Sequence, residues 1–161
     1  MTYPRTDLSL HSNGTESTDR LGGLFANVLM PGDLVTLSGP LGAGKSHLAR
    51  AFIRTRLGDP DAEVPSPSYT LVNVYQTADV EIWHADLYRL SDTSELSEIG
   101  LEDALSDAVV LVEWAERWPD PRQRRLEIVL IPLNDDERQI NVTALGSGWN
   151  SVLKFLEGFM E

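Results

Sequence analysis

The sequence contains no cysteine among its 161 residues. A chain without cysteine forms no disulfide and has neither a thiolate ligand for zinc nor a cysteine nucleophile. Any metal that it binds must therefore be held by oxygen or nitrogen atoms. The three histidines are scattered along the chain and do not have the spacing of a zinc site.

Long apolar runs are absent as well. No stretch approaches the roughly 18 apolar residues that a membrane-spanning helix needs. The first residues, MTYPRTDLSLHSNG, lack the apolar centre of a secretion signal. We therefore expect no membrane association and a cytoplasmic location.

Positive charge is scarce. The chain has 13 Lys and Arg residues against 25 Asp and Glu, a net charge of −12, and its only lysines are Lys45 and Lys154. Nucleic-acid affinity depends mainly on neutralising phosphates with a broad basic surface. We therefore expect no direct high-affinity binding to nucleic acid.

The apolar spacing predicts helices and strands that alternate along the chain. A helix capped by Thr15 or Ser17 is followed by a buried strand from Leu34 to Leu37, and the next helix ends at Gly58. Short helices over 91–99 and 101–105 come later. The segments DAVVLVEW, RLEIVLIPL and RQINVTAL are predicted strands, and NSVLKFLEGFM is a closing amphipathic helix.

A hairpin is predicted in the middle of the chain. VPSPSYTLVNVYQ reads as a loop that enters a strand at about Tyr69, and the strand in VEIWHADLYRL follows after only Thr77, Ala78 and Asp79. A parallel crossover needs about a dozen residues, so these strands should pair antiparallel. The fold class is therefore α/β, with a mixed, partly antiparallel central sheet flanked by helices. The length favours one domain over 1–161, with an N-terminal strand or segment at 1–13 and a C-terminal helix at 148–161.

The segment GPLGAGKS, residues 39–46, matches G-x-x-x-x-G-K-[ST] without a mismatch. It lies between a predicted strand and a predicted helix, the context that a phosphate-binding P-loop requires. Lys45 is expected to reach the β- and γ-phosphates of a nucleotide, and the Ser46 hydroxyl to ligate Mg²⁺. The predicted nucleotide-binding residues of the loop are Gly42, Ala43, Gly44, Lys45, Ser46 and His47, the last through its backbone N–H.

Two carboxylates follow predicted strands. Asp86 ends VEIWHAD, and Glu113 ends the apolar run of residues 108–112. A P-loop site needs a carboxylate at such a strand end to hold the magnesium shell and orient water. The sequence leaves open which of the two contacts the attacking water.

Five blocks in order resemble the TsaE (YjeE) family of small bacterial P-loop ATPases: GPLGAGKS, VPSPSYTLVNVY, HADLYRL, SELSEIGLED and LVEWAER. The resemblance covers most of the chain from Gly32 to Glu116. It implies a Mg²⁺-dependent ATPase that assists the N6-threonylcarbamoyladenosine (t6A37) modification of tRNA. It also implies the protein partners TsaD and TsaB and slow hydrolysis without them.

The same resemblance implies residue roles. Ser68, with Tyr69, lies near the γ-phosphate, Asp86 is needed for hydrolysis, and Glu113 binds Mg²⁺ together with Ser46. The expected catalytic residues are thus Asp86, Glu113 and Ser68, the metal ligands are Ser46 and Glu113, and Arg138 approaches the nucleotide. Ser46 and Ser68 stand where the family usually has threonine, which keeps the hydroxyl at both positions.

Two other functions remain open. A small-molecule kinase would need an acceptor pocket and lid arginines, yet Arg89 is the only arginine between Gly58 and Leu105. A nucleotide-binding module that does not hydrolyse is the second alternative. Among the remaining features, His84 is interpreted as a hydrogen-bonded core histidine and RQRR at 122–125 as a solvated turn rather than a partner contact. The four tryptophans are interpreted as packing residues, with a role in shaping the site as the alternative for Trp114, beside Glu113.

Overall fold

A computed structural model describes residues 4–119 and 121–159. Within this part of the chain, seven strands form one sheet in the order β1-β7-β6-β2-β5-β4-β3. The strands are β1 (Arg5–Asn13), β2 (Leu34–Ser38), β3 (Val72–Gln76), β4 (Glu81–Asp86), β5 (Ala108–Glu113), β6 (Arg125–Pro132) and β7 (Glu137–Leu145). The helices are α1 (Gly14–Val28), α2 (Lys45–Leu57), α3 (Glu95–Ile99), α4 (Leu101–Ala104) and α5 (Asn150–Phe159).

The sheet is mixed, as predicted. The pairs β2–β5, β2–β6 and β4–β5 are parallel, whereas β1–β7, β6–β7 and β3–β4 are antiparallel. The predicted β3–β4 hairpin is confirmed by the pairing of Val72 with Ala85 and of Gln76 with Glu81. All six residues of β5 are buried, which explains why this strand reads as a continuous apolar run.

The two faces of the sheet carry separate apolar clusters. One cluster joins Ile82, Val109 and Leu111 to α1, α2 and α5, and the other joins Val110 and Val112 to the segment around α3 and α4. Because side chains alternate along a strand, successive residues of β5 serve opposite faces.

Helices α1 and α2 cross closely at Gly22. A Cβ atom built there would lie 2.6 Å from the Ala51 Cβ and 3.0 Å from the Leu48 carbonyl oxygen. Only a residue without a side chain allows this approach, which holds α2 and the loop that precedes it against the rest of the core.

Several predicted boundaries are wrong by a few residues. Helix α1 begins at Gly14, so Thr15 and Ser17 lie inside it and neither is its cap. The Gly14 N–H instead donates to the Asp136 carbonyl (2.7 Å), a contact with the turn before β7. Helix α3 begins at Glu95 rather than at 91, and α5 at Asn150 rather than at 148. The end of the predicted closing helix, residues 160–161, lies outside the described residues, as does the beginning of the predicted N-terminal strand, residues 1–3.

The start of β3 also differs from the prediction. The strand begins at Val72, and Tyr69 lies in a turn that precedes it. The Leu71 N–H donates to the Pro67 carbonyl (2.8 Å), and Leu71 has a positive φ of 67°. A residue in this left-handed conformation cannot continue a strand, so the extended chain starts only after it.

The arginines of RQRR pair within the chain. Arg122 lies 3.0 Å from Glu102, Arg124 lies 2.7 Å from Asp33, and Arg125 lies 2.9 Å from Glu127. Arg124 contacts the most groups of the three, because its guanidinium also donates to the carbonyls of Ser147 (2.7 Å) and Gly148 (3.3 Å). Ion pairs therefore hold this segment against other parts of the chain, and it is not the solvated turn that the sequence predicts.

No helix in the described ranges is both long enough and apolar enough to cross a membrane.

Candidate functional site

The glycine-rich loop occupies residues 39–44, between the end of β2 and the start of α2. Gly39 has a φ of 142°, and its backbone runs so close to β6 that an added Cβ would lie 2.5 Å from the Leu130 carbonyl oxygen. Gly44 immediately precedes α2 with a φ of 107°. The loop therefore curls around the N-terminus of a 13-residue helix, where the helix dipole favours an anion.

Lys45 is 6% exposed. Its ammonium group donates to the carbonyl of Gly39 and to that of Pro40 (3.2 Å), and it lies 4.2 Å from the centroid of the Trp114 ring. Desolvation strengthens the electrostatic effect of a charge held in this way. The loop therefore has an ammonium group folded back over its own backbone.

The two predicted carboxylates lie side by side. Asp86 ends β4 and Glu113 ends β5, and the two residues face each other in the parallel register. Strand alternation directs His84, Asp86, Leu111 and Glu113 to one face of the sheet. Leu111 belongs to the cluster that packs against α2, so this is the face that α2 covers.

Glu113 is buried and uses both of its oxygens. The Ser46 hydroxyl, at the start of α2, donates to Oε1 (2.9 Å). The Nε2 atom of His84 lies 2.7 Å from Oε2. His84 is thus a buried, hydrogen-bonded histidine, as the sequence predicts.

Asp86 has a different environment. Burial raises the pKa of its carboxyl group, the backbone N–H of Tyr88 that donates to Oδ1 (2.9 Å) opposes this, and the charge of Glu113 raises the pKa further. The attraction of His84 and Lys45 lowers it to a lesser extent. Two adjacent carboxylates with different surroundings can take different chemical roles.

A cleft of about 450 Å³ opens over these groups. Its walls come from the loop, from the start of α2, from the ends of β4 and β5, and from the 66–68 segment. The residues are Leu41, Gly42, Ala43, Gly44, Lys45, Ser46, His47, Ser66, Ser68, Asp86, Tyr88, Arg89, Glu113 and Trp114. The cleft brings together nine of the ten residues predicted for the site, that is, all except Arg138.

The segment from Pro65 to Leu71 borders this cleft. The hydroxyls of Ser66 and Ser68 are 2.7 Å apart, and Tyr69 projects outward with 82% of its surface exposed. The Arg89 guanidinium stacks on the Tyr69 ring at 4.3 Å. The Asp86 N–H donates to the Leu71 carbonyl (2.9 Å), so the segment is tied to the backbone of a carboxylate at the site.

Arg138 reaches the loop from the other side. Its Nε donates to the Ala43 carbonyl (3.1 Å), and Nη2 lies 3.5 Å from the Gly42 carbonyl. It lines a second cavity of about 220 Å³, and Gly42, Ala43, Gly44 and His47 line both this cavity and the main cleft. The His47 Nε2 lies 2.7 Å from Asp19 on α1.

The family model described as "Threonylcarbamoyl adenosine biosynthesis protein TsaE" matches residues 12–140. The chain belongs to the TsaE family. The TsaE match takes in every predicted site residue from Gly42 to Arg138, and α5 lies beyond it.

Individual relatives agree with this assignment. The chain is 38% identical over 135 residues to the tRNA threonylcarbamoyladenosine biosynthesis protein TsaE of Rickettsia bellii, covering 81% of this chain and 91% of that protein. It is 36% identical over 150 residues to the protein of the same name from Bacillus subtilis, covering 88% of each. A crystal structure of YdiB from Bacillus subtilis superposes with a TM-score of 0.76 at 30% identity, over 98% of this chain and 97% of that one. The family resemblance and the α/β fold class inferred from the sequence are confirmed.

Sequence reasoning missed several residues that line the cleft. Ser66, Tyr88 and Arg89 were not among the predicted site residues. The sequence offers a signal only for Arg89, which is the only arginine between Gly58 and Leu105. Trp114, interpreted as a packing residue with a role in the site as the alternative, lines the cleft with a left-handed backbone (φ 56°) and its ring 4.8 Å from that of Tyr88.

Proposed function

We propose that this TsaE-family protein binds ATP with Mg²⁺ in the cleft and hydrolyses it, as an accessory protein for t6A37 modification of tRNA. The observation that carries the proposal is the contact of the P-loop hydroxyl of Ser46 with the strand-end carboxylate of Glu113 (2.9 Å). A hydroxyl and a carboxylate at the N-terminus of a P-loop helix are the protein groups that a nucleotide-bound Mg²⁺ uses.

The donor set fits magnesium delivered with a nucleotide. Within residues 4–119 and 121–159, no three His, Asp or Glu side chains come together as a metal-binding group. Mg²⁺ binds through one or two protein oxygens, with phosphates and water completing the shell. Ser46 and Glu113 would hold it, and the ion would neutralise charge on the phosphates.

The other residues have separate roles in this proposal. The backbone N–H groups of Gly42, Ala43, Gly44 and His47 bind phosphate oxygens. Lys45 exchanges its contacts with the Gly39 and Pro40 carbonyls for the β- and γ-phosphates.

Of the remaining predicted residues, two act at the γ-phosphate and one approaches the nucleotide from the second cavity. Asp86 orients the attacking water, Ser68 contacts the γ-phosphate end of the nucleotide, and Arg138 acts from the second cavity.

In this proposal, a partner complex rather than this chain carries out the modification of the tRNA. A net charge of −12 disfavours contact with a phosphate backbone. The relatives from Rickettsia bellii and Bacillus subtilis are named for the biosynthesis of the modified nucleoside. We therefore infer that the chain supports a partner complex, TsaD–TsaB, and that ATP hydrolysis resets that complex.

Exposed apolar side chains border the cleft and support a partner at this site. Leu41 lines the cleft and is 75% exposed, and Tyr69, which follows the lining residue Ser68, is 82% exposed. Aromatic side chains in such positions supply much of the binding energy of protein interfaces. A partner seated here would cover the cleft and order the segment from Pro65 to Leu71.

The test measures ATP hydrolysis by the purified chain alone, with TsaD and TsaB, and with tRNA added. We expect slow hydrolysis alone and faster hydrolysis with TsaD–TsaB. Phosphate transfer to a sugar, nucleoside or acid acceptor would instead favour a small-molecule kinase. Binding of ATP without turnover in any mixture would leave a nucleotide-binding module.

A matched pair of substitutions tests where the partner binds. Tyr69→Ala should weaken capture of TsaD–TsaB by more than about 5-fold, the loss expected for an interface aromatic. Phe155→Ala removes an aromatic side chain on α5 that is also exposed (53%), and should leave capture unchanged. Equal capture by both variants would contradict docking at the cleft.

A further inference from the structure

His84 contacts Glu113 without lining the cleft. It lies on β4, 1% exposed, and pairs in register with Leu111 of β5 and Asn73 of β3. Its Nε2 reaches Glu113 Oε2 at 2.7 Å, and both side chains are 2% exposed. Water therefore does not compete for this contact, and the histidine acts only through the carboxylate.

The chemistry of the pair defines the tautomer. An ionised carboxylate only accepts hydrogen bonds, so the imidazole must carry its proton on Nε2. The other nitrogen, Nδ1, is buried, and no group in the described residues is within hydrogen-bonding reach of it. Among the described residues, the ring therefore makes one side-chain hydrogen bond, the one to Glu113.

A purely structural role explains this arrangement poorly. Replacing a buried polar pair with apolar residues is often neutral or stabilising, and an unpartnered buried nitrogen carries a cost. The neighbouring inward residues Ile82 and Leu111 are apolar and fully packed. A polar pair at this point is therefore better explained by what it does to Glu113.

We propose that His84 is a positioning residue that holds Glu113 in the orientation needed to ligate Mg²⁺. With Oε2 fixed by His84 and Oε1 by Ser46, the carboxylate cannot rotate freely. Hydrogen bonds of this kind to a metal ligand are typically worth about 10- to 100-fold in metal affinity. This inference rests on the proposed nucleotide and magnesium site.

The experiment measures binding of the non-hydrolysable analogue AMP-PNP by calorimetry, at a series of Mg²⁺ concentrations and in EDTA. His84→Leu fills similar volume without a donor. His84→Gln extends an amide donor to the position of Nε2, and His84→Asn is too short to reach Glu113. Thermal melting records whether each variant is folded.

We expect the Mg²⁺ concentration for half-maximal gain in AMP-PNP affinity to rise about 10- to 100-fold in His84→Leu and His84→Asn. The wild type and His84→Gln should agree within about 3-fold, and affinity in EDTA should be similar for all four proteins.

Three results would overturn the inference. The first is an unchanged Mg²⁺ midpoint in His84→Leu. The second is a loss of affinity that is equal in EDTA and in Mg²⁺, which would mean that His84 only supports the fold. If His84→Leu does not fold, equal midpoints for His84→Asn and His84→Gln would be the third. A wild-type affinity that does not respond to Mg²⁺ would instead refute the proposed function on which the inference rests.

Discussion

Lys45 supplies the positive charge at the centre of the loop, and its removal gives the simplest prediction at the scale of single residues. Lys45→Ala leaves the phosphates with backbone dipoles alone. Losing one charge-assisted hydrogen bond costs about 1.5–3 kcal/mol, so ATP affinity should fall about 10- to 150-fold by calorimetry.

Lys154→Ala is the matched control, because it removes the chain's only other lysine from an exposed position on α5. It should bind ATP like the wild type. Equal affinity in the two variants would contradict the P-loop assignment.

The raised pKa of Asp86 predicts a pH-dependent stability. Its folded carboxyl group holds a proton more tightly than the unfolded one, whose pKa is about 3.9. The free energy of unfolding therefore falls as the pH rises from about 3.9 to the higher pKa of the carboxyl group in the folded state. Asp86→Asn keeps an oxygen for the Tyr88 N–H and removes the buried charge.

We expect urea unfolding to show Asp86→Asn more stable than the wild type at neutral pH, with the difference vanishing below about pH 4. A variant that loses stability at neutral pH but not in acid would show that Asp86 is stabilised as an anion, opposite to this account.

At the scale of elements, the loop depends on the close approach of Gly39 to β6. Gly39→Ala combines a strained positive φ with a Cβ 2.5 Å from the Leu130 carbonyl oxygen. Gly42→Ala meets the φ penalty (φ 79°) but has no neighbour within 4 Å. Because overpacking costs about 1–3 kcal/mol, Gly39→Ala should be less stable than Gly42→Ala by that amount in urea unfolding. Equal stabilities would mean that β6 moves away at no cost.

The elements also show how far the sequence predicts the fold. Runs with clear periodicity, such as β2, α2 and β5, were predicted almost to the residue because burial on one or both faces dictates their pattern. The start of β3 is predicted too early because the run from Tyr69 to Gln76 is rich in β-branched and aromatic residues, which favour a strand along its whole length. What interrupts it is the left-handed Leu71, held by a bond to Pro67 that no local pattern reveals.

For the candidate site, the sequence predicts which residues a motif or a strand end provides, but not the contacts that form between side chains on neighbouring strands. Lys45, Ser46, Asp86 and Glu113 were identified from a motif and two strand ends. The contact of His84 with Glu113 depends on the parallel register of β4 and β5, which the sequence does not specify.

At the scale of the whole molecule, Arg124 joins parts of the chain that are far apart in sequence. It pairs with the buried Asp33 before β2 and stacks on Trp149 at 4.0 Å. Arg124→Ala would leave that carboxylate without its cationic partner. Since Arg124 is one-third exposed, we expect a loss of about 1–3 kcal/mol in urea unfolding, less than for a fully buried pair.

Arg122→Ala is the control for this prediction, because it breaks a more exposed pair with Glu102. Such pairs contribute about 0–1 kcal/mol. An equal loss of stability in both variants would contradict the prediction that the pair of Arg124 with Asp33 contributes more to stability than the exposed pair.

The most direct test of the central claim compares Asp86→Ala with Glu113→Ala in two assays on the same preparations. These are ATP affinity with and without Mg²⁺, and single-turnover hydrolysis in the presence of TsaD–TsaB. Asp86→Ala should keep the Mg²⁺-dependent affinity and lose most hydrolysis, because a group that orients water acts mainly on the transition state. Glu113→Ala should lose both the gain in affinity that Mg²⁺ provides and hydrolysis. Wild-type hydrolysis by both variants, or the same Mg²⁺-dependent affinity in all three proteins, would contradict the account.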